Sequence, residues 1–337
     1  MKQNRTFSAA RAGLKLLCAM LGLILAAMIG FTAIFQYLIG QLSSSQPEPE
    51  LPFSFQTEDL AAEAMAFLDP SDVDFHQLAS DLRRKEQNVV NLLLVGQDKR
   101  EGETGNRADS ILLCTFQKSS HTVTMTSFLR DLYVPIPDHG KDRLNSAYAY
   151  GGLELLKQTL TDQFDIEIHG AIEVDFSQFA TVIDTLGGVE LQLRQDEADL
   201  INREIGSSFS EGTHLLTGTQ ALAYSRIRSL DRDGDFSRTD RQRKVMAALV
   251  DAYKDAGLST LLSALKAVLP LICTDMSEPK LLMLALDLFP ILQDVQLTSH
   301  HIPEAGTYTD KTINGMAVLD ADMDAARKLL KEITGGN

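Results

Sequence analysis

VVNLLLVG, residues 89–96, is seven consecutive residues of which six are apolar, closed by a glycine. A short apolar run with a breaker at its end reads as a strand buried on both faces. SILLCTF (residues 110–116) and TVTMTSF (residues 122–128) repeat the pattern, and the polar KSSH between them reads as a turn. Further on the period changes. GGLELLKQTLTDQF has helical spacing, AIEVDF is strand-like, and DFSQFATVIDTLGG reads as a helix capped by Asp175 or Ser177 and stopped by Gly-Gly. VELQL adds a strand. Helices are predicted over residues 239–253, 260–269, 280–289 and 321–333, with a strand over 295–301. Strands and helices mixed without strict alternation predict an α/β fold, a mixed central sheet flanked by helices on both faces.

The N-terminal region is of another kind. Residues 16–39 form 24 consecutive positions without a charge, preceded by Lys2, Arg5, Arg11 and Lys15 and by no acidic residue. At about 1.5 Å per residue the run exceeds a hydrocarbon core of roughly 30 Å. It is too long for a cleaved signal, so it predicts an N-terminal transmembrane helix, and the basic flank places the N-terminus in the cytoplasm. The expected organisation is a cytoplasmic tail (1–15), a transmembrane helix (16–39), an extracellular linker with short helices (40–87) and an extracellular domain (88–337).

The chain has 337 residues and a formal charge of −15, which argues against general nucleic-acid binding. Against that background AYSRIRSLDRDGDFSRTDRQRK, residues 223–244, concentrates six arginines, one lysine and four aspartates. Arginine suits bidentate recognition of phosphate oxygens. The alternation Tyr224, Arg226, Arg228 has the period of a strand, which would put both guanidinium groups on one face. Arg241, Arg243 and Lys244 read as a solvated or structural helix face. An EF-hand loop starting at Asp231 is excluded, because Phe236 and Gln242 stand where glycine and glutamate are required.

Two more polar clusters follow predicted strands. GQDKREGETGNRADS holds Asp98, Arg107 and Asp109; its carboxylates are either Mg²⁺ ligands or solvated loop acids. SFLRDLYVPIP holds Arg130 and Asp131, with Arg143 and Asn145 soon after. Neither a G-x-S-x-G nor a phosphate-loop lysine motif occurs, and the histidines lack metal spacing. Phosphoryl transfer needs no covalent nucleophile, only cations for the developing charge and a carboxylate for the attacking hydroxyl. Cys114 and Cys273, both in apolar surroundings, read as buried thiols or as one disulfide.

The ordered series NLLLVGQDKR, RADSILL, SFLRDLYVPIP, RLNSAYAYGG, VDFSQFATVIDTLGGVEL, GTHLLTGTQALAYSRIRS and GDFSRTDRQ closely resembles the LytR-CpsA-Psr family. The resemblance implies a membrane-anchored phosphotransferase of Gram-positive-type cell walls. Such an enzyme moves a teichoic acid or capsular polysaccharide from a polyprenyl-pyrophosphate carrier to a peptidoglycan hydroxyl, with Mg²⁺. It implies Asp98 and Asp109 as metal ligands. Arg107, Arg130, Arg143, Arg226, Arg228, Arg238 and Gln242 would bind the pyrophosphate, and Asp235 would orient an arginine or move a proton. Arg107, Arg130, Asp235 and Arg238 form the implied catalytic set. Arg143 replaces a frequent lysine, and Leu129 replaces a frequent proline before Arg130. The apolar stretches 149–186 and 258–292 are candidates to line a lipid tunnel, or are ordinary core. Water as acceptor, or anionic-glycan sensing without catalysis, are the alternative functions.

Overall fold

The computed structural model describes residues 88–97, 108–231 and 234–334. The apolar run 16–39, the linker 40–87, Asp98 and Arg107 lie outside the described residues. Among the described residues no helix is long and apolar enough to cross a membrane.

The expected sheet is present. β1 (Val89–Gln97), β2 (Ala108–Gln117) and β3 (Thr122–Phe128) pair antiparallel in chain order. β6 (Gly170–Asp175) lies parallel to β1, and β10 (Gln296–Ile302) lies parallel to β3. With β9 (Cys273–Thr274) at one edge, the order is β10-β3-β2-β1-β6-β9.

The apolar runs are explained by cover on both sides. Leu93 and Val95 of β1, Ile111 and Leu113 of β2 and Phe128 of β3 pack under α1 (Leu144–Phe164) and α8 (Met323–Thr334). Val90, Leu92, Leu112, Cys114, Val123 and Met125 face the opposite layer, which includes α7 (Glu278–Gln293). The one polar residue of the first run is satisfied inside the core. Asn91 donates from Nδ2 to the Glu167 carbonyl at 2.8 Å and accepts from Thr115 Oγ1 at 2.8 Å.

A third cluster supports the arginine-rich segment. The ribbon β7 (Val189–Leu193) and β8 (Gly212–Leu216) packs with α2 (Phe176–Thr185), α3 (Gln195–Ile205), α4 (Gly218–Ser225) and α5 (Asp235–Tyr253). Asp175, rather than Ser177, caps α2 in a reciprocal box with Gln178. Helix α4 enters against α2 so closely that a Cβ on Gly218 would lie 1.8 Å from the Ala180 carbonyl oxygen. Backbone, not a yielding side chain, fills that space. Gly218→Ala is therefore expected to cost ~1–3 kcal/mol or more of stability, read as a lowered midpoint in urea with an unchanged slope.

Several expectations are corrected. Tyr224–Arg228 is not a strand: α4 runs through Ser225, and Arg226 closes it as the C-cap. Tyr224 and Ile227 are buried and Arg226 and Arg228 exposed, but a helix end and a turn create that pattern. Arg241 and Arg243 are 2% and 6% exposed, so they are interior rather than solvated. The helix expected from Thr239 begins at Asp235, which places Gln242 in its interior and not at its start. Helices α3 and α4 and the hairpins β4 (Tyr133–Ile136) with β5 (Gly140–Arg143) and β11 (Tyr308–Ile313) with β12 (Met316–Ala321) complete the fold. Among the described residues Cys114 and Cys273 are free thiols; Cys114 is buried, and Cys273 is exposed on the sheet edge. β2 and β9 are three strand spacings apart, at roughly 4.8 Å each, too far for a disulfide. Burial pushes the Cys114 thiol up to about 12.

Candidate active site

β1, β3, β6 and β10 share one direction, and their carboxyl ends meet the start of β2 along one edge. Open α/β sheets place their ligands at such an edge. Asp109 is the second residue of β2, Arg130 and Asp131 follow β3, and Arg143 ends β5. Asp235 and Arg238 enter from the side in the first turn of α5, whose positive end favours a carboxylate. Gly234, at φ 40°, makes the turn that starts this helix.

These groups form one connected network. Arg130 donates from Nη1 to Asp109 Oδ1 at 2.5 Å and from Nε to Asp235 Oδ2 at 2.9 Å, with Asp131 Oδ2 at 3.6 Å. Asp235 also faces Arg238 Nη2 at 3.3 Å and Arg228 Nε at 3.6 Å. Asp131 accepts from Arg143 Nη1 at 3.1 Å. Burial alone would lower the pKa of Arg130, but the fields of Asp235, Asp109 and Asp131 outweigh it and raise the value. Its charge is permanent.

Arg238 is the unusual member. It is 2% exposed, and its Nη2 donates to the Asp109 carbonyl at 3.2 Å. Its Nε and Nη1 have no hydrogen-bond partner among the described residues, and the buried Arg143 Nε is in the same condition. A buried guanidinium N–H without a partner costs about 1–3 kcal/mol or more, so such groups call for an acceptor beyond those that the described residues supply.

Of the residues expected in the site, Asp109, Arg130, Arg143, Arg228, Asp235 and Arg238 converge. Gln242 accepts from Ser110 Oγ at 2.9 Å and ties α5 to β2. Arg226 stands apart from the acids, its guanidinium carbon 4.7 Å from the centre of the Phe176 ring. Asp131 emerges as a shared acid, although its sequence gave only the pattern of a surface pair. Arg241 and Arg243 lie behind the site. Arg241 binds Glu197 at 2.8 Å and Asp231, and Arg243 donates to Ser127 at 2.8 Å and Ser299 at 2.5 Å.

Fold and site together define an α/β protein with a cluster of arginines and aspartates at the carboxyl edge of its sheet. The sequence profile of the LytR_cpsA_psr family matches residues 55–334. The chain belongs to that family. It is 34% identical over 238 residues to the polyisoprenyl-teichoic acid–peptidoglycan teichoic acid transferase TagT of Bacillus subtilis, covering 66% of this chain and 71% of TagT. It is 37% identical over 180 residues to the regulatory protein MsrR of Staphylococcus aureus, covering 53% of each. The match to MsrR thus spans about half of that relative. The structure of TagT bound to LIIa-WTA superposes with a TM-score of 0.61 at 28% identity, over 74% of this chain and 92% of the other. YwtF (TagT) with bound octaprenyl pyrophosphate lipid gives 0.58 at 26% identity over the same shares.

Proposed function

We propose that the chain is a phosphotransferase that moves an anionic glycopolymer from a polyprenyl-pyrophosphate carrier to a peptidoglycan hydroxyl. The observation that carries this reading is Arg238, buried inside a cluster of arginines with two N–H groups that have no partner among the described residues. A pyrophosphate supplies the acceptor oxygens that those donors lack. The structures of TagT bound to LIIa-WTA and of YwtF (TagT) with bound octaprenyl pyrophosphate lipid support the donor class.

Arg130, Arg143, Arg228 and Arg238 hold the two phosphates, joined by Arg226 at the rim and by Arg107, which lies outside the described residues. The acceptor hydroxyl forms a new O–P bond to the glycan-bearing phosphorus. The bond to the bridging oxygen breaks, and polyprenyl phosphate leaves with the electron pair. Asp235 orients Arg130 and Arg238 and is the carboxylate placed to take the hydroxyl proton. Beyond Arg226 and Phe176, half-buried apolar side chains accumulate on β6, α2, α6 (Leu258–Val268) and α7, among them Ile172, Phe179, Leu261, Leu265 and Leu284. Their partial exposure suits a surface that a prenyl chain completes.

A divalent ion fits this donor set. Asp109 offers hard carboxylate oxygens and is 19% exposed in its side chain, and among the described residues no group of three or more metal-ligating side chains occurs. Mg²⁺ needs only one or two carboxylates where substrate phosphates complete its shell, so Asp109 with Asp98 would hold it. There it would neutralise charge on the phosphate oxygens. The apolar run 16–39 keeps the domain at the outer face of the membrane, within reach of the lipid.

Full-length protein with Mg²⁺, a polyprenyl-pyrophosphate glycan and uncrosslinked peptidoglycan should join glycan to wall material. The Arg226→Ala, Arg228→Ala double variant should weaken donor binding by ~100-fold, as loss of two charged contacts implies. Unchanged donor binding would remove both residues from the site. Phosphate release that peptidoglycan neither requires nor slows would favour hydrolysis.

A further inference from the structure

A cavity of about 330 Å³ adjoins the arginine cluster and shares only two residues with it, Asp131 and Asp235. Its other walls come from Phe236 and from the β11–β12 hairpin, through Asp310, Lys311 and Thr312 on one strand and Ala317 on the other. The hairpin is pinned to the site, since Leu319 N donates to the Asp131 carbonyl at 2.9 Å. Phe236 packs against Tyr308, stacked with ring centroids 5.3 Å apart, and against His301 in a T-shaped contact at 4.9 Å.

The lining of this cavity differs from that of its neighbour. Three carboxylates face one lysine, and Lys311 is itself paired with Asp320. No arginine is among the lining residues, so a phosphate meets none of the guanidinium forks of the neighbouring cluster. Sugar hydroxyls, by contrast, donate to carboxylates and accept from Thr312, and the apolar face of a pyranose packs on an aromatic ring. The volume lies at the low end of the roughly 300–1,000 Å³ typical of small-molecule sites, room for a sugar unit rather than a polymer. Asp235 is common to both lobes, so a sugar seated here abuts the carboxylate that faces Arg130, Arg228 and Arg238.

We infer that this cavity is the subsite for a sugar ring of the acceptor, and that the β11–β12 hairpin selects an uncharged pyranose and turns its hydroxyl toward Asp235. The inference rests on the transferase reading for its purpose, but not for its binding chemistry.

The test uses full-length protein in nanodiscs and the variant Ala317→Phe. Ala317 is exposed on β12 opposite Thr312, a position where an aromatic residue suits a strand and fills the cavity. Chitotetraose, a neutral N-acetylglucosamine tetramer, should bind the wild type by calorimetry and bind Ala317→Phe at least ~10-fold more weakly. The KM for peptidoglycan strands should rise by a similar factor, with donor affinity and kcat unchanged. Pyrophosphate should displace the lipid donor and leave chitotetraose bound. Equal binding of chitotetraose by both proteins, no binding to the wild type, or its displacement by pyrophosphate would overturn the subsite. Should Ala317→Phe melt early, Asp310→Asn replaces it, with the same direction expected at ~3-fold. A wild type that binds chitotetraose but transfers nothing would refute the transferase reading and leave the subsite standing.

Discussion

Asp235→Asn is expected to slow glycan transfer by roughly 10²–10⁴-fold while tightening the grip on the pyrophosphate donor. The two effects have opposite signs because the carboxylate has two roles. It accepts from Arg130 Nε at 2.9 Å and lies 3.3 Å from Arg238 and 3.6 Å from Arg228. In the resting protein four arginines, Arg130, Arg143, Arg228 and Arg238, face three aspartates, Asp109, Asp131 and Asp235, for a local charge of +1. Replacing Asp235 by the isosteric amide raises that charge to +2 and frees guanidinium surface for phosphate oxygens. Ground-state binding improves. Turnover falls, because the amide neither accepts the acceptor's proton nor holds the arginines where charge develops. The measurement is a donor dissociation constant beside single-turnover kinetics. Equal weakening of both would mean that Asp235 only shapes the pocket, and unchanged turnover would remove it from the chemistry.

The sheet could be read from the sequence because both of its faces are covered. That requirement makes β1, β2 and β3 nearly continuous apolar runs, and the turn between β2 and β3 is polar. Asp175 and Gly187-Gly188 marked the ends of α2 for equally local reasons. The error at Arg226 and Arg228 is instructive. Period-two burial arose from a helix C-cap followed by a turn, which two exposed arginines around a buried Ile227 cannot distinguish from a strand. The β11–β12 hairpin did carry a local signal, Asn314-Gly315, both at positive φ as a type I′ turn requires. Its flanking residues are mostly exposed and lack apolar alternation, so the pattern is faint. Which arginines are interior was not legible at all. Arg238, Arg241 and Arg243 lie within six residues, and only tertiary partners separate an unpartnered donor from a paired strut.

The strut leads to the second large effect. Glu197→Ala is expected to destabilise the domain by about 3 kcal/mol, because it removes the buried one of the two carboxylates that pair with Arg241 and leaves that interior charge to the more exposed Asp231. Both side chains are nearly sealed, 4% and 3% exposed, and Arg241 Nε donates to Glu197 Oε1 at 2.8 Å. For a domain of this size the melting midpoint should drop by roughly 2–4 °C per kcal/mol. Replacing both partners by apolar residues, Glu197→Leu with Arg241→Met, should recover much of the loss, since no buried charge then remains. A pair mutant as unstable as the single would show that packing, not charge, is at stake. The remaining partner supplies a pH signature. The hydrogen bond from Arg241 holds the Asp231 carboxyl below its ordinary value, against a smaller upward push from burial. A depressed folded value means that this bond stabilises the fold above the unfolded value near ~3.9 and is lost as pH falls through the folded one. Asp231→Asn should therefore melt earlier than the wild type at neutral pH, and the difference should close below about pH 4. Helix α5 carries Arg241 three residues after Arg238 and six after Asp235. Loosening the strut thus shifts the first turn of α5, and turnover in Glu197→Ala should fall at temperatures well below its melting midpoint.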